Sequence, residues 1–370
     1  CECFKLKGEQ NRDINEKQLE IRMHKAMSVI QFKVEGQIIK KNPGFHLEDR
    51  NLLDKIDYER GVITLDGKEY EMLDINFPTI DPKHPYALSK DEEEIMSRLE
   101  SAFLNCEKLQ DHMRFLLNKG GLYKVYNGNL LYHGCVPLKE DGTLKSVRLY
   151  GRSYKGKSLY EVLESYVRKG FYALNKKEKE RGKDMMWYIW LSENSPLFGK
   201  DKMATFERYF LAEKETHKEK KNPYYNLLEN EKVINMILKE FGLTEESAHI
   251  INGHVPVKAI TGESPIKCNG KVLVIDGGFS RAYQKQTGIA GYTLIYNSYG
   301  LILAAHEPFE STEAAIEKES DIHSDSVVVK RVLERKMVGD TDIGQELKEQ
   351  IEDLKMLLQA YRSGEITERM

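Results

Sequence analysis

Two histidines stand where buried strands would end, and they are the residues of this chain best suited to chemistry. His133 follows an apolar run in L-L-Y-H-G-C, and His254 follows another in I-I-N-G-H-V-P. A glycine beside each one lets the backbone turn sharply or approach a bulky group. Neutral imidazole is a common ligand for borderline divalent metals. From their settings alone, a hydrogen-bonded structural role is the favoured interpretation of each histidine, and convergence of the two rings on one ion is the alternative.

Three basic side chains follow His254 and are suited to holding phosphate oxygens beside such an ion. Lys258 comes four residues after the histidine, and Arg281 and Lys285 lie in a basic segment after the Gly277-Gly278 corner. Cations that converge on one anion give charge-assisted hydrogen bonds, which are about twice as strong as neutral ones. Ordinary surface charge is an equally weighted alternative for all three.

Other polar and aromatic residues have a simpler structural explanation. We interpret Asp276, before two glycines, as a turn former, and His306 as a structural residue beyond an apolar strand. The group Trp187, Tyr188 and Trp190 is typical of a core or an interface, and lining a sugar pocket is the alternative.

The composition is typical of a globular protein and unlike that of a nucleic-acid binder or a membrane protein. The 370 residues are 40% hydrophobic and 31% charged, with a net charge of −3. This near balance leaves no basic excess to displace phosphate counterions. No apolar run approaches the roughly 20 residues that span a bilayer. The five cysteines are scattered, so we expect reduced thiols in a cytoplasmic protein.

Periodicity and turn signals predict helices early in the chain and hairpins beside them. Apolar residues at helical spacing predict a helix over residues 15–39. A second helix is predicted to start at the capping box of Ser89, to bury one apolar face, and to run up to the glycines at 120–121. Asp66-Gly67 and Asn127-Gly128 each predict a two-residue hairpin.

Four long phrases carry a family resemblance: F-G-K-D-K-M-A-T-F-E-R-Y-F, T-H-K-E-K-K-N-P-Y-Y, L-L-Y-H-G-C and V-I-D-G-G-F-S-R-A-Y-Q-K. With them the whole chain resembles the class III fructose-1,6-bisphosphatases of bacteria, which are calcineurin-like metallophosphoesterases. The resemblance implies an α+β fold, the C-terminal part of a metallophosphoesterase β-sandwich with flanking helices. It suggests a mainly helical segment with a small hairpin (1–120), the C-terminal half of the metallophosphoesterase domain (121–310) with an insertion at about 139–245, and a helical tail (311–370).

The resemblance assigns His133 and His254 to the second of two Mn²⁺-like ions. In that superfamily the first ion needs G-D-x-H and G-D-x-x-D-R-G, and the second also needs the asparagine of G-N-H-[DE]; none of these motifs occurs in the chain. The leaving-group acid is lost with the last of them. We therefore expect a C-terminal portion of such an enzyme, inactive alone and without a catalytic residue of its own. Two neutral histidines without a carboxylate make a poor site for a hard ion.

The function that the resemblance implies is hydrolysis of fructose 1,6-bisphosphate to fructose 6-phosphate and phosphate, in gluconeogenesis. It implies a homo-oligomer, and neither nucleic acid nor membrane as a partner. A non-catalytic oligomerisation or regulatory module is one alternative, favoured by the missing motifs. A metallophosphatase with another substrate, such as a protein phosphatase, is the other; the block from G-H-V-P-V-K to H-E-P-F argues against it.

Overall fold

The computed structural model describes residues 14–277, 280–308, 311–317, 319, 324–331 and 334–367. Within these ranges the chain is α+β, as predicted, and its strands form four sheets. The α-helices are α1 Ile14–Lys41, α2 Lys90–Leu104, α3 Glu107–Lys119, α4 Gly156–Tyr172, α5 Lys176–Leu191, α6 Thr205–Phe210, α7 Glu231–Glu240, α8 Arg281–Thr287, α9 Thr312–Glu317 and α10 Asp342–Ser363. The strands are β1 Ile56–Asp57, β2 Val62–Leu65, β3 Lys68–Glu71, β4 Tyr123–Tyr126, β5 Asn129–Tyr132, β6 Val147–Leu149, β7 Arg152–Tyr154, β8 His249–Asn252, β9 Ile266–Lys267, β10 Val272–Val274, β11 Gly291–Asn297, β12 Gly300–His306 and β13 Ser324–Arg331.

The chain divides into two units, which are described separately. The first unit comprises Cys1–Gly121, Pro137–Glu140 and Leu144–Pro223, and the second comprises Leu122–Val136, Asp141–Thr143 and Tyr224–Met370. The predicted division into three segments and the metallophosphoesterase sandwich remain predictions. No helix within the described ranges is both long and apolar enough to cross a bilayer.

The core of the first unit forms around the predicted long helix, which is confirmed as α1. Phe32 of α1 packs against Phe206 of α6, with 5.2 Å between the ring centroids. The hairpin β2–β3 closes over the same core and turns at Asp66-Gly67, as predicted. Both turn residues have positive φ, 49° and 78°, which is the requirement of a tight hairpin turn.

The helix predicted from Ser89 begins as expected but does not run through to the glycines. Ser89 and Glu92 form the predicted capping box at the start of α2. The chain then breaks at Asn105, whose side-chain amide donates to the carbonyl of Ser101 at 2.9 Å. Local side-chain bonding of this kind competes with helix continuation. The predicted burial of the apolar face is also wrong, since Phe103 is among its exposed residues.

The second unit is built on a five-stranded sheet in the order β4-β5-β8-β10-β9. The three central strands β5, β8 and β10 run parallel, and both edge strands are antiparallel to their neighbours. The hairpin β4–β5 turns at Asn127-Gly128, as predicted. Ile251 and Leu273 pack in the core of this unit beside Leu301 of the second sheet, β11-β12-β13.

The tail after residue 311 is only partly helical, which corrects the prediction for it. The strand β13 pairs antiparallel with β12 from Ser324 to Arg331. Its sequence S-D-S-V-V-V-K-R contains three β-branched valines, which favour extended backbone. The predicted helix is present further along as α10.

Candidate metal centre

The three parallel strands of the second unit deliver polar residues to one edge of the sheet. His133 directly follows β5, His254 comes two residues after β8, and Asp276 comes two residues after β10. In the register of the sheet, Leu131 lies opposite Ile251, and Ile251 opposite Leu273, so the three strands end nearly level. The carboxyl edge of parallel strands is the place where open α/β sheets bind ligands.

The structure brings the two predicted histidines together at this edge. Nε2 of His133 lies 3.0 Å from Nδ1 of His254, and the ring centroids are 4.8 Å apart with an interplanar angle of 68°. Two nitrogens bound to one ion by bonds of about 2.1 Å would be roughly 3.0–3.4 Å apart. The separation therefore suits two ligands of one ion, and it also suits a hydrogen bond between the rings.

The backbone that presents His254 is held in a strained conformation. Its φ is 68°, and the N–H of Val255 donates to the carbonyl of Gly253 at 2.8 Å, which closes a three-residue γ-turn around the histidine. A left-handed non-glycine residue costs on the order of 1–3 kcal/mol. Gly253 in turn donates its N–H to the carbonyl of His133 at 2.9 Å, so the turn is fixed to the neighbouring strand end.

The environment of His133 favours the neutral imidazole that metal ligation requires. Partial removal of the ring from solvent lowers its pKa, and the negative charge of Asp276 opposes that shift without reversing it. A lowered pKa leaves the ring uncharged at neutral pH, so that one of its two nitrogens can bind a metal or accept a hydrogen bond.

Asn252, two residues before His254, has a side-chain oxygen that accepts no hydrogen bond from the described residues. Its side-chain amide donates to the carbonyl of Gly134, the residue after His133, at 3.0 Å. Its Oδ1 is buried and has no hydrogen-bond partner among the described residues. A buried unsatisfied oxygen costs about 1–3 kcal/mol, so an orphaned acceptor here points to a bound group such as an ion or a water molecule.

The donor set fits part of a metal site. The two histidines supply two nitrogens in suitable geometry, while no group of three His, Cys, Asp or Glu residues able to hold an ion occurs among the described residues. His133 and His254 would thus hold one face of a divalent ion, and their role as ligands remains a prediction.

Asp276 also lies at this edge of the sheet, although its position before two glycines predicted a turn former. A Cβ on Gly253 would lie 3.5 Å from the Cβ of Asp276, so the carboxylate side chain sits against the turn that presents His254. The carbonyl of Asp276 accepts from the N–H of Val257 at 2.8 Å. The signal that was available is the apolar run V-L-V-I before it, which parallels the runs before both histidines.

The three predicted substrate cations lie after the histidine turn, and their role as substrate ligands remains a prediction. Lys258 is exposed, and its backbone N–H donates to the carboxylate of Glu263 at 3.0 Å. Lys285 is exposed in the last turn of α8. Arg281 begins the same helix, and its side chain lies outside what the structure describes.

His306 and the aromatic group occupy structural positions. Both ring nitrogens of His306 have partners, Thr293 Oγ1 at 2.7 Å and Ser324 Oγ at 2.8 Å, so this ring joins three strands. Tyr188 is buried, Trp190 is exposed, and Trp187 borders a cavity of about 280 Å³ in the first unit.

His249 is a perturbed histidine that the sequence did not single out. It begins β8, at the edge of the sheet opposite His254, and its Nδ1 lies 3.1 Å from Oδ1 of the buried Asn129. Burial, together with the positive charges of Lys330 and Lys336, lowers its pKa to about 4. The ring is therefore neutral throughout the physiological pH range.

The chain is thus an α+β protein in which two histidines at the carboxyl edge of a parallel sheet form a candidate metal site. The Firmicute fructose-1,6-bisphosphatase family matches residues 1–363. The chain is 56% identical to a fructose-1,6-bisphosphatase class 3 of Alkaliphilus metalliredigens, in an alignment that covers 100% of this chain and 56% of that protein. It is 56% identical to one of Clostridium novyi, covering 97% of this chain and 54% of the relative. No solved structure matches.

The chain belongs to the Firmicute fructose-1,6-bisphosphatase family, because that family accounts for nearly all of its length. The resemblance drawn from the four phrases is thereby confirmed. The chain spans about 55% of the length of the curated relatives it matches.

Proposed function

We propose that this chain forms part of a metal-dependent phosphatase that hydrolyses fructose 1,6-bisphosphate to fructose 6-phosphate. The approach of His133 and His254 to 3.0 Å at the carboxyl edge of the sheet carries the proposal. Membership of the family supports the substrate, since its relatives are named fructose-1,6-bisphosphatase class 3. A divalent ion bound there, manganese in this proposal, supplies a Lewis acid for phosphate oxygens.

The chain's own residues would then have separate tasks. His133 and His254 would present neutral nitrogens to one ion, and the γ-turn would fix the direction of the second ring. Lys258, Arg281 and Lys285 would hold substrate oxygens as charge-assisted donors. The proposal includes no leaving-group acid from this chain, so the polypeptide alone should show no appreciable turnover.

The test uses a chimera of the relatives' full length in which this sequence replaces the matched part of the Alkaliphilus protein. Phosphate release and bound metal are measured for His133→Ala, His254→Ala and the control His306→Ala. Each of the first two variants should lose bound metal and at least about 100-fold in kcat/KM, in line with the loss of a catalytic metal's ligand. His306→Ala should change neither measurement greatly. Full metal content and activity in His133→Ala would refute the ligand assignment.

The basic residues are tested in the same chimera. Arg281→Ala should raise KM and lower kcat/KM. The loss of transition-state stabilisation calculated from kcat/KM should be about 1.5–3 kcal/mol, the range for a hydrogen bond to a charged group. Lys258→Ala should do less, because a lysine acts as a point charge without the bidentate fork of arginine. Unchanged kinetics in Arg281→Ala would return this segment to ordinary surface charge.

A further inference from the structure

The helix α10 carries an apolar seam at coiled-coil spacing. Along it, large side chains recur at intervals of four, three, four and three residues: Leu347, Ile351, Leu354, Leu358 and Tyr361. This alternation averages 3.5 residues, the repeat that keeps a stripe facing one partner helix over its whole length. We call these five residues the α10 seam.

The α10 seam is uncovered among the described residues. Each of its side chains keeps between 43% and 63% of its exposure. The helix is held at its first residue, where the Asp342 carboxylate accepts from the N–H of Asn127 at 2.8 Å and the Asp342 N–H donates to the Asn127 side chain at 3.0 Å. A 22-residue helix with a solvent-exposed leucine stripe gains little from tertiary packing, which is the main source of helix stability in proteins.

We propose that α10 pairs with α10 of a second copy of this chain as a parallel, two-stranded coiled coil. The spacing places Ile351 and Leu358 at the a positions and Leu347, Leu354 and Tyr361 at the d positions. A β-branched residue at a combined with leucine at d favours parallel dimers. The central heptad, with Ile351 and Leu354, has this combination.

The charges beside the seam select the same orientation. The e positions are all basic: Lys348, Lys355 and Arg362. The g positions are all uncharged: Ile343, Gln350 and Leu357. An antiparallel pair would set e against e and bring like charges together. A parallel pair sets each e residue against a g residue of the partner, where the lysine and arginine stems cover apolar surface.

The length of the seam sets the expected strength. From Leu347 to Tyr361 the seam spans little more than two heptads, so the dimer should depend on concentration. The inference specifies the homo-oligomer of the expected enzyme and holds independently of metal binding. Failure of the metal-binding test would therefore not overturn the dimer, and absence of the dimer would not overturn the metal site.

The first test is sedimentation equilibrium of the whole chain over a wide range of concentrations. The wild type should approach a dimer at high concentration. Leu354→Lys should stay monomeric, whereas the control Glu349→Lys, on the outer f position, should dimerise like the wild type. Far-UV circular dichroism of the whole chain, together with hydrogen exchange of the second unit's strands, checks that each variant is folded. A monomeric wild type, or a dimer that survives Leu354→Lys, overturns the proposal.

The second test measures orientation by disulfide formation in a background with Cys1, Cys3 and Cys106 changed to serine. In a parallel dimer, Leu347→Cys chains should cross-link to one another under oxidised glutathione. In an antiparallel dimer a positions face d positions, so residue 347 would face residue 358, about 17 Å along the helix. Only a mixture of Leu347→Cys and Leu358→Cys chains would then cross-link. Glu349→Cys is the outward-facing control. Cross-linking of the mixed pair alone overturns the parallel dimer.

Discussion

The ion pair between Arg50 and Glu207 should be a main determinant of the stability of the first unit. The guanidinium contacts both carboxylate oxygens, at 2.6 and 3.1 Å, and also donates to the carbonyl of Met203 at 3.0 Å. The side chain of Glu207 has no exposure, and that of Arg50 has 14%. Burial, the largest single influence, raises the pKa of Glu207. The hydrogen bonds and charge of Arg50, a backbone hydrogen bond and the charge of Lys202 together outweigh burial, so the net shift of the pKa is downward.

The size of the effect follows from what Arg50→Met would leave behind. The Glu207 carboxylate would remain buried, and among the described ion pairs it would keep the one to Lys202, at 3.6 Å. Breaking a buried pair by removing one partner costs about 3–5 kcal/mol. Since Lys202 compensates in part, we expect about 3 kcal/mol. The double variant Arg50→Met/Glu207→Met has no stranded charge, so it should be more stable than Arg50→Met alone.

The assay is urea unfolding followed by tryptophan fluorescence. Both tryptophans of the chain lie in α5 of the first unit, so the signal reports on this unit and not on the second. The three variants Arg50→Met, Glu207→Met and their combination complete a double-mutant cycle with the wild type. Midpoint shifts at an unchanged slope give the differences in the free energy of unfolding.

The way in which the stability loss of Arg50→Met changes with pH provides a second check of the buried ion pair. A carboxylate with a lowered pKa contributes stability above its unfolded pKa, near 4.3, and loses it as the pH falls. In Arg50→Met, burial without the arginine raises the pKa of Glu207, so the deficit should be largest at neutral pH and shrink as the pH falls toward and below about 4.3. A loss under about 1 kcal/mol at neutral pH, or a double variant less stable than Arg50→Met, would refute the buried-pair reasoning.

Two further predictions concern single positions. An unfolded histidine binds a proton near pH 6.5, whereas His249 resists protonation down to about 4, so acidification across this window should remove up to about 3 kcal/mol of stability. His249→Gln should flatten that dependence in hydrogen exchange of β8. A Cβ on Gly182 would lie 2.2 Å from the backbone nitrogen of Gly170. Gly182→Ala should therefore force α5 away from α4 and lower the free energy of unfolding by at least about 1–3 kcal/mol, measured by urea unfolding. The control is Gly44→Ala, whose Cβ would meet nothing within 4 Å, and it should leave the free energy of unfolding nearly unchanged.

The approach of the two histidines could be predicted because strand ends have simple rules. An apolar run that ends at a glycine-flanked histidine places the ring at the edge of a sheet, and parallel neighbouring strands end at the same edge. For His133 and His254 the first condition could be recognised in the sequence, whereas their place on neighbouring strands was implied only by the family resemblance. The turn residues of the hairpins were predictable for a similar reason, since few residues accept a positive φ.

Features that depend on partners elsewhere in the chain could not be predicted in this way. The place of Asp276 beside the γ-turn depends on β10 lying next to β8, which neither strand's own sequence specifies. Exposure of the face of α2 that bears Phe103 depends on whether another element covers it. Periodicity indicates that a face is apolar, and it does not indicate what packs there.

The phrases that carried the family resemblance have different physical sources. In F-G-K-D-K-M-A-T-F-E-R-Y-F, Phe206 and Phe210 are buried in the core of the first unit, and Glu207 forms the buried pair with Arg50. This phrase therefore specifies packing. L-L-Y-H-G-C instead places His133 at the carboxyl edge of the second unit's sheet, next to an unsatisfied asparagine oxygen and a strained turn. Strain and unpaired polar groups are costs that a stable fold avoids unless a bound group offsets them. The surroundings of the second phrase thus fit the predicted ligand role of His133, whereas those of the first fit a role in packing.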